Sequence, residues 1–598
     1  MTRLLIAASV IVFCIPVASA AEAIPEGNWR FSQNFGAGES PLALVKVEKK
    51  DGEVSVSVVE AAIKASVKVS DLKVIDKVVT LNVDIGGNKY VFEGFIDSKD
   101  AKVIRGSFGD GTRLFRGSLN AQEGEKIEQP ALPTAPDEMG QAQRLSMTAT
   151  QLRFKAQQAK DANDKAELQD KAKAAQNEAD EKVPGLYRDV IAKHSDSPFA
   201  ADAANSLLRR ADKIKPKAEE VATWVKIVQS DAAKYGPKIE RESSLQVTET
   251  IVGQKEIAAT ALPLVEKVVA GVKESDPLAL QSRALKVLIK AEKAAGKNNA
   301  ATEARLTKVE TALDSEYLKK VPPFKPAKFA GRKDKEANRV AVMELFTGAT
   351  CPPCVAADVA FDALMMTYQP KDLILIQYHM HIPAPDTLTN PDTIARSNYY
   401  TDKFKAEMRG VPSALFNGKP FGQYDMDPMH GGGGPMTNAE NKFDQYRNVI
   451  DPLLEQKSDL KITGTAKRTG EKININVNVD RVAEPGDHLK CRLLLVEEKV
   501  HYAGSNGIRF HHQVVRAMPA GGSAGTALAA KTTQVGTNFD LADLRRGLTK
   551  YLDDFAAERP FPNPDRPMEL SHLKVIALVQ NDTTGEILNA AEIEVEGK

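Results

Sequence analysis

One short run constrains this chain more than any other: Cys351-Pro352-Pro353-Cys354, set between a strand and a helix. The apolar run Val340-Ala341-Val342-Met343-Glu344-Leu345-Phe346 precedes it, and a helical stretch follows. Further on, Gly410-Val411-Pro412-Ser413 leads into another strand. A C-x-x-C pair that opens a helix after a strand points to thiol–disulfide chemistry. A structural zinc site would need two more Cys or His ligands at matching spacing, and no second C-x-x-C or H-x-x-x-H pattern accompanies it.

The cysteine inventory sharpens this. Cys14 falls in a leader-like start in which Arg3 gives the charge, Leu4 to Val17 the apolar core, and Ala18-Ser19-Ala20 a small-residue cleavage site. Residues 1–20 are therefore expected to be removed on export, to the periplasm or outside the cell. Phe13 is too bulky a neighbour for lipid attachment at Cys14. The remaining cysteines are Cys351, Cys354 and Cys491, too few to staple a long secreted chain, so the adjacent pair is better explained by turnover than by scaffolding. No later stretch is long and apolar enough to span a bilayer. Lys plus Arg and Asp plus Glu number 80 each, so net charge gives no pull toward nucleic acid.

The chain, 598 residues long, should hold several domains. Residues 26–121 have alternating runs (Val54 to Val58, Val79 to Ile85, Tyr90 to Phe95) around Asp51-Gly52 and Gly86-Gly87 turns, so an antiparallel β domain is expected, with Trp29 in its core. Pro130, Pro133 and Pro136 mark a linker. Residues 137–320 read as helical, beginning with a solvated helix or hairpin. Leu186-Tyr187, Val190-Ile191, Pro198, Ala201 and Ala204 resemble one tetratricopeptide-like pair, although no repeat of about 34 residues is visible. A spacer and a partner-binding solenoid both fit. Residues 339–457 form an α/β domain around the cysteines. Residues 458–598 alternate as Ile473, Ile475, Val477 and Val479 and then run apolar, so a C-terminal β-sandwich is expected. The overall expectation is a multidomain α+β protein.

Within 339–457 the order of elements is informative. Asp372 to Tyr378 is a strand. Asn390-Pro391-Asp392 is a capped helix start. Val411-Pro412 precedes a strand that turns at Asn417-Gly418. With C-P-P-C, G-V-P-S and N-G in this order, the segment resembles the thioredoxin-like superfamily, specifically its secreted bacterial branch. The resemblance implies a redox-active Cys351–Cys354 disulfide, a cis Pro412 against it, and Val411 at the substrate edge. It implies an exported thiol–disulfide oxidoreductase acting on protein disulfides or dithiols, with no cofactor. Cys351 would be the exposed attacker and Cys354 the buried resolver. Two departures matter. Thr350 stands where the family often has Trp, and the buried acid expected six residues before the first Cys is Leu345. Glu344, one step earlier, is either the proton acceptor for Cys354 after a register shift or an edge-facing carboxylate. Pro352 and Pro353 offer no N–H to a thiolate and the dipeptide holds no His, which favours a reducing couple.

Other constellations compete. His379 and His381 share a strand face; they form either a polar rim that tunes the thiolate and meets substrate, or, with the thiols, a copper site. His430-Gly431-Gly432-Gly433 and Gly521-Gly522-Ser523-Ala524-Gly525 imitate an esterase but lack the strand before the elbow. His511-His512 with Arg516 reads as a basic surface loop or interface, and Cys491 as a buried, silent thiol. The reading from a different class is an envelope-associated binding protein with the fold as scaffold.

Overall fold

The computed structural model describes residues 24–597, apart from 51–52, 98–99, 111–113, 131–132, 159–160 and 428–431. The expected leader, the Asp51-Gly52 turn and His430-Gly431 lie outside the described residues. The chain divides into two compact units, Met1–Leu313 and Asp314–Lys598.

The first unit opens with β1 (Gly27–Phe35), β2 (Gly38–Lys50), β3 (Glu53–Ala61), β4 (Val67–Ile75), β5 (Val78–Ile85), β6 (Asn88–Ile96), β7 (Val103–Gly109) and β8 (Leu114–Gln122). They form one antiparallel, nearly closed sheet in the order β3-β2-β1-β8-β7-β6-β5-β4. Closure follows from pairing the first strand with the last, Phe31 opposite Leu119 and Trp29 opposite Ala121. Alternation sends Val79, Leu81 and Val83 inward, while Asp76-Lys77 and Gly86-Gly87 take the positive φ that two-residue hairpin turns require. Trp29 is buried, as expected, and its indole N–H donates to the Pro25 carbonyl at 3.0 Å. Gly94 and Gly106 face each other across β6 and β7, and a Cβ on Gly106 would lie 2.0 Å from the Glu93 carbonyl oxygen.

Helices follow: α1 (Asp137–Gln158), α2 (Ala162–Lys193), α3 (Pro198–Leu208), α4 (Ala211–Ile214), α5 (Ala218–Ala233), α6 (Pro237–Val252), α7 (Leu262–Ala270), α8 (Leu278–Ala294) and α9 (Ala300–Lys320). Asp161 caps α2 through the Asn163 and Asp164 amides, and Ser197 caps α3 with Pro198 behind it. The α1–α2 pair is the expected hairpin. Val183, Tyr187, Leu207, Trp224, Leu245 and Leu285 form the shared core.

The second unit is built on a mixed sheet. Its elements are β9 (Ala341–Thr347), α10 (Val355–Thr367), β10 (Leu373–His379), α11 (Pro391–Lys403), β11 (Ser413–Phe416), β12 (Lys419–Pro420), α12 (Ala439–Leu454), β13 (Lys461–Thr469), β14 (Lys472–Asp480), β15 (Gly486–His501), β16 (Phe510–Ala517), β17 (Thr526–Leu528), β18 (Thr532–Asp540), α13 (Leu541–Glu558), β19 (Leu573–Asn581) and β20 (Ile587–Gly597). β9 and β10 are parallel, and β11 lies antiparallel on the other side of β9. α10 and α12 cover one face, with Phe361, Leu364, Phe443 and Ile450 on Met343, Leu345 and Leu375. On the opposite face Tyr400 of α11 packs with Val342, Phe346 and Ile376.

The expected separate β-sandwich is corrected here. β16 joins β10 in parallel at Gln377–Val514, so the C-terminal strands extend the same sheet. β20 then passes from β19 to β13, and this folds β13, β14 and β18 back over β15 and β19. The reason lies in β15. Leu493 and Leu495 pack toward Val477 and Val575, while Leu494 and Val496 pack toward Val515 and Ile576 on the other side. A strand buried on both faces belongs inside a layered unit.

Gly106→Ala should destabilise the chain by about 1–3 kcal/mol, because the added methyl meets backbone that has no room to move. Gly185→Ala, on an exposed and open site of α2, should instead gain up to about 1 kcal/mol. Denaturant unfolding of both variants checks this, and equal effects would contradict the packing assigned to the β6–β7 pair.

Candidate active site

The cysteines sit where β9 hands over to α10. After Thr347 the chain turns, with the Cys351 amide donating to the Gly348 carbonyl at 3.0 Å. Pro352–Cys354 make a single 3-10 turn, closed by the Cys354 amide on the Cys351 carbonyl at 3.1 Å, and Cys354 is the N-cap of α10. Two consecutive prolines fit at a helix start because their nitrogens would have had no intrahelical partner. Cys351 and Cys354 are joined by a disulfide with an S–S distance of 2.06 Å and Cα atoms 5.4 Å apart. The Val411 carbonyl oxygen lies 3.9 Å from Cys351 Sγ, and the Val411–Pro412 bond is cis.

One expectation fails plainly. Cys351 is 1% exposed and Cys354 fully buried, so the first cysteine is not an exposed attacker. Two loops distant in sequence lie against the motif. Gly434 donates its amide to the Pro353 carbonyl at 2.6 Å and accepts from Ala356 at 3.1 Å; a Cβ on Gly433 would lie 2.0 Å from the Pro353 oxygen. The loop between β15 and β16 approaches from the other side, where a Cβ on Gly504 would lie 2.3 Å from the Ala349 oxygen.

Beneath the motif, on the face that α10 covers, runs a row of buried polar side chains. Asp358 lies four residues after Cys354, on the same helical face. Gln377 Nε2 donates to Asp358 Oδ1 at 3.2 Å. Gln377 Oε1 lies 3.2 Å from His379 Nε2, and His379 Nδ1 lies 2.8 Å from Asp386 Oδ2. Asp386 in turn accepts the Ala349 amide at 2.7 Å and the Leu388 amide at 2.9 Å, and so anchors the turn that leads into Cys351. Burial drives the Asp358 carboxyl well above the usual carboxylate range, and the nearby Asp362 and Asp386 push it the same way. Burial would raise Asp386 too, but the charge and hydrogen bond of His379 outweigh it and hold that carboxyl below its ordinary value. His511 packs edge-on against His379 at 4.7 Å, and burial pushes its imidazole down to about 3.

Glu344 is fully buried on the opposite face of β9, where Arg396 Nε and Nη2 bond its Oε1 at 2.9 and 2.8 Å. Tyr378 donates to the same oxygen and Tyr400 to the other. It faces α11 rather than Cys354. Neither the acceptor role nor an edge-facing carboxylate fits this position. His379 is buried under the motif, not on its rim. His381 leaves the strand and stacks on Phe555 of α13 at 3.7 Å. Its Nδ1 accepts the Asp386 amide, its Nε2 meets the Tyr551 hydroxyl at 3.0 Å, and burial lowers it to about 4. The two rings do not converge, and among the described residues no group of three or more His, Cys, Asp or Glu could hold a metal ion. The copper reading therefore loses its ligands.

His511 and Arg516 are not a surface patch: both are buried, and His512 pairs with Asp362 at 2.7 Å. Cys491 is buried and free, its thiol pushed up to about 12 by burial. Gly521 to Gly525 form a 3-10 loop with no nucleophile elbow.

Sequence reasoning missed Asp358, Gln377 and Asp386. A signal for Asp358 existed, a lone acid within Val355-Ala356-Ala357-Asp358-Val359-Ala360-Phe361. For Asp386, in a loop, there was none.

No family model matches the chain, and no curated protein matches it. Among solved structures, an Agrobacterium tumefaciens protein determined by X-ray crystallography as a structural-genomics target aligns with 44% of this chain and 96% of its own. Identity is 13% and the TM-score 0.25, too low to bear on the fold.

The raised Asp358 carboxyl has a thermodynamic consequence. Its proton stays on, in the folded chain, to a pH well above the ~3.9 of an unfolded aspartate. Its contribution to stability is therefore complete below that unfolded value and is lost as pH rises toward the folded one. Asp358→Asn keeps an acceptor for Gln377 and cannot ionise. The oxidised variant should gain on the native protein as pH rises, by about 1.4 kcal/mol per unit until the native group ionises. Denaturant unfolding across that range measures it, and a constant difference between the two proteins would show that Asp358 titrates freely.

Proposed function

We propose that this chain is an exported thiol–disulfide oxidoreductase whose cysteine-bearing layer is thioredoxin-like, working as a reductant of protein disulfides. The observation that carries the reading is the Cys351–Cys354 disulfide at the start of α10, beyond the carboxyl end of the parallel pair β9–β10. That is where α/β sheets place reactive groups. The Val411 carbonyl beside Cys351 Sγ, one residue before Pro412, supports it further.

In the proposed cycle the reduced Cys351 thiolate attacks one sulfur of a partner disulfide. The partner S–S bond breaks, a mixed disulfide forms, and one partner sulfur leaves as thiolate and takes a proton. Cys354 then gives its proton to Asp358, which accepts it only in its ionised form, and attacks Cys351 Sγ; the second partner sulfur leaves as thiolate and takes the proton back from Asp358. The partner gains two electrons and two protons, and the chain is left as its disulfide. An external dithiol or thiol must return it to the reduced state. Asp358 takes the acceptor role that the sequence offered to Glu344, because it shares the face of α10 with Cys354 and carries a proton affinity raised by burial. Val411 and Pro412 edge the site toward substrate, while His379 acts through Asp386 on the turn before Cys351. Periplasmic or secreted placement rests on the leader-like residues 1–20. Among the described residues no helix is long and apolar enough to cross a membrane.

A second reading has an observation of its own. Burial of both cysteines suits an envelope-associated binding protein in which the disulfide only braces the fold, the helices of residues 137–320 offering a partner surface.

Reduction of insulin disulfides by the purified mature chain, with dithiothreitol as electron source, separates the two. The native chain should accelerate reduction. Cys351→Ser should fall to the uncatalysed rate, and Cys354→Ser should accumulate a mixed disulfide that only added thiol releases. Activity retained in folded Cys351→Ser would sink the oxidoreductase reading, and a folded native chain with no activity would favour the binding protein.

A further inference from the structure

The C-terminal segment reaches into the redox site through one side chain. The loop between β15 and β16 runs from Tyr502 to Arg509, and Asn506 stands at its tip. Asn506 Nδ2 donates to the Gly348 carbonyl at 3.2 Å and to the Cys351 carbonyl at 3.3 Å. Its backbone amide donates to the Ala349 carbonyl at 3.2 Å. One residue therefore engages three carbonyls of the turn that ends in the first cysteine. The tip is itself fixed. Asn506 Oδ1 accepts the Ile508 amide at 3.0 Å, Gly504 and Ile508 bond through their backbones at 2.9 Å, and Gly507 takes a φ of 91°. Ile508 is buried with Val355 and Val359 under the first turn of α10. At the outer end Asp314 Oδ1 holds Arg509 Nε at 2.6 Å and His501 Nε2 at 3.1 Å.

We infer that Asn506 is a positioning residue of the redox site: it latches the β15–β16 loop onto the Gly348–Cys351 turn and so limits the access of thiols to Cys351. The inference rests on the exchange chemistry proposed above. Attack on a disulfide requires a thiolate to approach one sulfur along the S–S axis, and the rate depends on access to that sulfur. Cys351 is 1% exposed, and the bonds of Asn506 are to backbone oxygens, which carry the same partial charge in either redox state. The latch therefore acts on the barrier. Loosening it accelerates reduction and re-oxidation together and leaves the equilibrium between them in place.

The test uses the full-length mature chain and dithiothreitol. In the reaction followed, one thiolate of the reagent attacks Cys351 Sγ, the Cys351–Cys354 bond breaks, and Cys354 leaves and is protonated. The second thiolate of the reagent then displaces Cys351 and closes the cyclic disulfide. Asn506→Asp keeps the oxygen that receives the Ile508 amide and removes the Nδ2 donor; Asn506→Ala removes both. Loss of two hydrogen bonds to backbone carbonyls predicts a roughly tenfold faster reduction in both variants. Re-oxidation by oxidised dithiothreitol should rise by the same factor, with an unchanged potential in a glutathione series. Asn506→Gln, which can restore the donor on a longer arm, should lie between the variants and the native protein. A folded Asn506→Asp variant with the native rate, or with one rate changed and the potential shifted, overturns the latch. The outcome is separable from the fate of the oxidoreductase reading. A faster reaction with this small reagent upholds the latch even if the native chain fails on insulin, and a native chain active on insulin whose Asn506→Asp rate is unaltered refutes the latch alone.

Discussion

The second unit is organised around one buried ion pair. Glu344 of β9 and Arg396 of α11 are fully enclosed, and the remaining bonding capacity of both is taken by Tyr378, Tyr400 and Gln580. Gln580 belongs to β19, whose neighbours in the sheet are the C-terminal strands. The pair thus joins the strand that leads to the cysteines, the helix behind it and a strand more than two hundred residues onward. Such a pair adds little net stability compared with a well-packed apolar replacement, whereas breaking it leaves an uncompensated charge and costs about 3–5 kcal/mol. Its effect here is to fix which side of β9 faces α11. Glu344 has one place where its charge is answered, so Leu345 and Thr347 must turn toward α10, and the turn carrying Cys351 emerges on that side.

The other face of the same strands carries the row of buried polar side chains. Gln377 and His379 project under α10 because they alternate with Tyr378, which faces Glu344. Asp358 meets Gln377 from the helix, and Asp386 closes the row by holding the Ala349 amide. Each side chain in this row is buried, so each hydrogen bond in it is costly to leave unmade. The row therefore does two things at once. It keeps an acid of raised proton affinity beneath the helix that begins at Cys354, and it pins the backbone just before Cys351.

Much of this was legible in residues close together in the chain. The strand, C-P-P-C turn and helix follow from local pattern, as do the Asn390 cap with Pro391 behind it and the β hairpins of the first unit. The burial of Cys491 followed from its alternation with Leu489, Leu493 and Leu495, and that of Trp29 from its size and apolar character. What escaped was set by partners far away in sequence. Cys351 was expected to be exposed as the attacking thiol of the pair; in the fold the Val411 carbonyl lies against its sulfur, and Gly434 and the β15–β16 loop bond to the backbone on either side. Glu344 looked available because its answering charge lies in α11. The β-sandwich was expected because β14 alternates cleanly, but β15 is apolar on both faces and binds two cores. His381 was paired with His379 by strand periodicity, yet β10 ends at His379 and the ring turns away to Phe555.

These long-range contacts change what counts as the cysteine-bearing domain. The motif and its nearest secondary structure lie within residues 339–457, a span that looks self-contained in sequence. In the fold, the edge of β10 is occupied by β16, and the core shared by Val342, Phe346 and Ile376 also contains Leu494, Val496, Val515 and Ile576. Removing the later strands would open a sheet edge and uncover one apolar face of the central strands, the combination that native sheets avoid. It would also strip Gln580 from Arg396 and Asn506 from the Cys351 turn. The smallest piece that keeps the buried ion pair satisfied, both faces of the central strands covered and the cysteine turn held is the whole second unit. The C-terminal strands are part of the site's construction, and the turn that carries Cys351 is bonded to their loop through Asn506.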